Sequence, residues 1–126
     1  MKGKNMKVVL VDTEKNTIEV KTIKDDLDEI YKYLKCDLFD VARRKIGKHA
    51  YDIIADDLGL YAENPICTAV NPLIQKDVLV GNLIICRHDG NGEFMSLNDN
   101  DIFNILIHTG TYKDGDIDRV AVMIGV

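Results

Sequence analysis

The chain lacks the signatures by which a sequence usually declares its chemistry. It has no GxSxG elbow, Walker loop, GxGxxG turn or kinase motif, and no CxxC, HxxxH or HExxH spacing. Those absences remove the activated serine, the glycine-rich phosphate cradle and the preformed zinc site as starting points. No apolar run near the N-terminus reaches the length of a signal peptide or a membrane span. Cysteine is scarce, with Cys36, Cys67 and Cys86 forming an odd and widely spaced set, so free thiols in a cytosolic protein are expected rather than a disulfide framework. There is also no excess of positive charge: sixteen basic against twenty-one acidic residues leave a net charge of −5, which disfavours duplex nucleic acid as a partner. The acids are interleaved with lysine, so they form no continuous anionic stripe of the kind a DNA mimic needs. No repeat, linker or biased run divides the 126 residues, and a chain of this length makes one domain with a single core. Disorder is expected only at residues 1–5 and in the loop after Gly110.

What is present is a set of turn signals between apolar runs. Residues 8–11 are apolar and residues 17–22 alternate, which predicts a first hairpin across the polar link 12–16. Leu27, Ile30, Tyr31 and Leu34 stand at the spacing of one helical face, with Asp25 or Asp26 as N-cap. Two strands, 38–46 and 51–56, flank Gly47 and Lys48. A two-residue turn with glycine at the position of positive φ puts Arg43 opposite Asp52 and Arg44 opposite Tyr51. Residues 58–75 hold both prolines and little periodicity, and read as an irregular connection. Between 77 and 98 an apolar strand (Val78, Leu79, Val80, Leu83, Ile84, Ile85) meets the turn Asp89, Gly90, Asn91, Gly92 and rebounds. A second helix is expected over 99–109, with Ile102, Ile105 and Leu106 inward, Ser96 or Asn98 as cap and Gly110 as stop; 120–124 makes a last strand. The fold class is therefore α+β: a single domain with one layer of mostly antiparallel sheet, built from hairpins, carrying two helices.

Few constellations survive as candidate sites. Residues 89–92 resemble the middle of a calcium loop, but Arg87 falls at the first ligand position and Asn98 where the closing glutamate belongs. Cys86 and His88 share a strand face, yet two further zinc ligands have no spacing to support them, and Cys86 reads as a small buried hydrophobe. The carboxylate pairs Asp25 with Asp26, Asp28 with Glu29, and Asp56 with Asp57 are adjacent in sequence, unlike acid and base pairs facing across a cleft. No metal or cofactor is expected. One cationic cluster stands out: Arg43, Arg44, Lys45, Lys48 and His49 have no acid between them, and at a hairpin tip they can hold phosphates or the acidic surface of a partner. The competing reading is a solvated edge, with Arg43 neutralised by Asp52 and Arg44 lying over Tyr51.

The opening strand 6–12, the helix around 27–34, the segment YDIIADDLGL at 51–60 and the stretch from Ala69, Val70, Asn71 through Val80, Gly81, Asn82 to Ser96, Leu97 together resemble a family catalogued as domain of unknown function 3846, found in phages and mobile elements. The resemblance covers about residues 6–107 and leaves 110–126 as a C-terminal strand extension. It supplies no reaction, but it implies a small accessory protein of a phage or mobile element, in the cytoplasm of a bacterial host. Such proteins often work by binding and inhibiting a host defence protein or by sequestering a small nucleotide signal. A homo-oligomer is expected through pairing of the terminal strand 120–124, and no membrane is involved. Two alternatives stand beside this: a small nucleotide-acting hydrolase or transferase using Asn71, Asn82, Arg87 and His88, and a regulatory partner of a phage protein. The absence of catalytic motifs points away from an enzyme.

Overall fold

The computed structural model describes residues 4–126. Its first hairpin joins β1 (Asn5–Asp12) to β2 (Thr17–Lys24), in a register running from Asn5 opposite Lys24 to Asp12 opposite Thr17. Of the segment 1–5, residues 1–3 lie outside the described residues, while Asn5 is already paired. Helix α1 (Leu27–Leu34) starts at Asp26, whose carboxylate accepts the Glu29 N–H at 2.8 Å. The hairpin of β3 (Phe39–Ile46) and β4 (His49–Asp56) has the expected register, with Arg43 opposite Asp52 and Arg44 opposite Tyr51.

The connection after β4 is not wholly irregular: a 3-10 turn at Gly59–Tyr61 leads to β5 (Cys67–Val70). The apolar run that follows is not one strand either. It breaks at Gly81 and Asn82 into β6 (Val78–Val80) and β7 (Leu83–His88), which belong to different sheets. The turn at 89–92 then returns the chain to β8 (Phe94–Met95), with Gly92 at φ 80°.

Helix α2 (Asp99–Ile107) is started by Asn98 in a reciprocal capping box with Asp101. Ser96 instead accepts the Lys7 N–H. The helix ends before Gly110, which lies inside β9 (Thr109–Asp114), and this strand pairs with β10 (Ile117–Met123). The expected loop after Gly110 is thus an ordered hairpin.

Two sheets replace the expected single layer. The larger runs β2-β1-β7-β4-β3, with β8 added to β7, and is antiparallel throughout. The smaller runs β6-β5-β10-β9, where β5 and β10 are parallel. Period-two alternation gives the larger sheet two apolar faces. Ile30 and Leu34 of α1 cover Met6, Val8, Leu10, Ile54 and Ile84 on one face. The other face, with Val9, Val11, Ile53 and Ile85, meets the smaller sheet (Ala69, Val122, Ile124) and Ile105 of α2. Cys86 is fully buried among the α1 contacts, and burial pushes its thiol pKa up. Strand β10 lies inside its sheet with neighbours on both sides, so 120–124 is not an edge available to a second subunit. Among the described residues, no helix is long and apolar enough to cross a membrane.

Candidate functional site

The turn between β3 and β4 is held from three sides. From α2, the Asn104 amide donates to the Ile46 carbonyl at 2.7 Å and to the Tyr51 hydroxyl at 3.1 Å. That hydroxyl donates to Asp101 at 3.1 Å, and burial raises the Tyr51 pKa. The Gly125 N–H donates to the Lys45 carbonyl at 2.7 Å. From the loop 71–77, Asp77 accepts Arg44 Nε at 2.9 Å and the Asn71 amide at 3.0 Å; these two bonds, the asparagine's first, hold the Asp77 carboxyl below its ordinary range. The tip is therefore a rigid corner of the domain. The backbone of the tip is thus held in place, and little of its freedom remains to be lost on binding.

The geometry divides the cationic cluster. Arg43 faces α1's side of the sheet, with Nε 4.0 Å from Asp52, and its guanidinium also meets the His88 imidazole. His88 Nδ1 lies 2.9 Å from Asp52 Oδ2, so Arg43, His88 and Asp52 form one polar group on this face. Arg44 is spent on Asp77 rather than stacked over Tyr51, which is buried and points its hydroxyl at α2. Lys45, Lys48 and His49 are exposed and, among the described residues, have neither ion pair nor side-chain hydrogen bond.

Beside His49 opens a cleft of about 290 Å³ lined by Ala50, Arg87, Asn98, Asn100 and Asp101. Arg87 Nη1 donates to Asp101 at 3.2 Å, and the same carboxylate accepts the Asn98 N–H at 3.0 Å. With one guanidinium edge still open, an imidazole and two amides, the cleft offers donors to a small anionic or polar group. Of this lining, Arg87 and His49 are candidates from the sequence, whereas Asn98 carries only a helix-cap signal there and Asp101 none.

The set Asn71, Asn82, Arg87 and His88 does not come together. Asn71 accepts the Leu73 and Ile74 N–H groups and donates to Asp77, which shapes its own loop. Asn82 accepts from Thr13 through backbone and hydroxyl and donates to the Tyr33 carbonyl, which ties the first hairpin to the end of α1. Arg87 and His88, adjacent on β7, point to opposite faces, one to Asp101 and the other to Asp52. Among the described residues, no group of three His, Cys, Asp or Glu side chains converges as metal ligands would.

A family model described as Domain of unknown function (DUF3846) matches residues 6–109. No curated protein and no solved structure matches the chain.

Proposed function

The chain belongs to the DUF3846 family, and from that premise we propose that it acts by stoichiometric binding, presenting Lys45, Lys48 and His49 to an anionic target. One observation carries this reading. Among the described residues no acid pairs with these side chains, while Asn104 and Gly125 hold the backbone beneath them and Asp77 holds the neighbouring Arg44. A preorganised cationic corner on a protein of net charge −5 favours local recognition over general adsorption to polyanions. In a phage or mobile element the target is a host defence component: the acidic surface of a protein complex, or a nucleotide signal whose phosphate reaches the Arg87 cleft. Against turnover stands the dispersal of the polar residues that a nucleotide-acting hydrolase would have drawn on, since Asn71 and Asn82 are spent on their own backbone surroundings.

The test separates the lysines from the arginines. Replacing Lys45 and Lys48 with glutamate should abolish inhibition in a host-defence assay, whereas Arg43→Ala with Arg44→Ala should keep most of it, because those guanidinium groups already hold Asp52 and Asp77. Full inhibition by the lysine variant at an unchanged melting point would sink the proposal. Nucleotide recovered chemically altered after denaturing the protein would favour the hydrolase instead.

A further inference from the structure

The two ends of the β3–β4 hairpin carry opposite surfaces. At the turn end, Leu73 (77% exposed) and Ile74 of the loop 71–77 and Phe103 (67% exposed) and Ile107 of α2 are bared. Asn104 and His108 bring α2 against Gly47, and Asp77 brings the loop against Arg44, so these apolar side chains flank the cationic turn on both sides. At the far end, Leu38, Leu58, Leu60 and Tyr61 (86% exposed) are equally bare. Three carboxylates there, Asp37, Asp40 and Asp57, are exposed and without a cationic partner among the described residues, while the nearby Lys35 is taken up by Glu14. Eight residues of strand separate the ends, roughly 25 Å at the rise of a β-strand.

We infer that a second copy of this chain docks head to tail, the basic, apolar turn end of one against the acidic, apolar far end of the next. Apolar side chains bared at two places, one beside unpaired lysines and the other beside unpaired carboxylates, mark an interaction surface, and here the unpaired charges complement each other. A two-fold contact through either end alone would set like charge against like, whereas a head-to-tail contact satisfies both and leaves one end of each kind open to grow. Side-by-side pairing through β3 is guarded. Asp40 Oδ1 covers the Val41 N–H at 2.9 Å, Arg44 Nη1 covers the Arg43 carbonyl at 3.0 Å, and Gly125 holds the Lys45 carbonyl. This inference gives the cationic turn a self-partner and so rests on the proposed binding role of that turn, but it adds Asp40 and Asp57, which have no part in target binding.

Sedimentation velocity over a concentration series tests it with the full chain. The mean mass should rise steadily with concentration at low salt and fall back when salt screens the ends. Lys45→Glu with Lys48→Glu, and separately Asp40→Lys with Asp57→Lys, should each weaken association by ~10-fold or more. An equimolar mixture of the two variants should associate again, because each retains the end the other has lost. A wild-type chain that stays monomeric, growth that survives either variant, or a mixture that fails to associate would overturn the inference. The Asp40 and Asp57 variant in the host-defence assay keeps the two readings apart: inhibition retained with association lost supports both, and the lysine variant's effect on inhibition judges the target site by itself.

Discussion

Two hairpin turns with almost the same local signal sit in opposite surroundings. Gly92 closes the turn after β7 at φ 80°, with Asp89 accepting the Asn91 and Glu93 N–H groups at 2.8 and 3.1 Å. A side chain added there would meet nothing within 4 Å. Gly47 closes the turn after β3 at φ 62°, but a Cβ there would run into the Asn104 amide oxygen and lie 2.9 Å from the His108 ring. Each glycine answers a backbone demand that L side chains resist. At Gly47 a second demand, close packing against a helix more than fifty residues away, makes the turn part of the domain's frame. Positive φ specifies a turn; whether the turn is a tethered platform or a free loop depends on what lies against it.

The sharpest way to break the comparison is to put the same side chain in both places. Gly47→Val should cost about 3–5 kcal/mol, because backbone strain and overpacking against α2 add together. Denaturant titration checks this, and a cost below that of the matching Gly92 variant would mean that α2 yields freely. Asn104→Ala removes the clamp without touching the turn, leaving the buried Ile46 carbonyl and the Tyr51 hydroxyl each short of a donor, for about 2 kcal/mol. Gly92→Val carries backbone strain alone and should cost on the order of 1–2 kcal/mol.

The smallest effect concerns the tether from the loop. The Asp77 carboxyl lies below its ordinary value of 3.8 in the fold, so its contribution is fully present above that value and fades as pH falls through the lower folded one. Melting points of wild type and Asp77→Asn, apart at neutral pH, should therefore converge only in acid below 3.8. A gap that closes already near pH 6 would assign the tether to some other group.

What the sequence shows directly is local. The first hairpin and the β3–β4 register follow from short-range rules, which also narrow the helix caps to two candidates each, and Arg43 meets Asp52 as two-residue turn geometry requires. The second sheet escapes such reading because β5 is four residues long and takes a parallel partner more than fifty residues later, which no turn signal announces. The break at Gly81 and Asn82 was legible as an isolated glycine within a strand-like run, but the apolar residues on either side outweigh two polar positions. At the candidate site the same division holds. The cluster that holds Lys45, Lys48 and His49 is legible, as is the pairing of Arg43 with Asp52; that Arg44 is taken up by Asp77 depends on the loop 71–77, which no short-range rule places.

The place of β10 sets an order of events during synthesis. Every strand of the larger sheet has left the ribosome once Met95 has emerged, so that sheet and α1 can assemble while the chain is still growing. Strands β5 and β6 have no such freedom, because their sheet lacks its middle until residues 117–123 arrive. Until then the face of the larger sheet bearing Val9, Val11, Ile53 and Ile85 has lost part of its cover. A nascent chain stalled between β8 and β10 would display that greasy face, a surface on which unfinished chains can stick to one another.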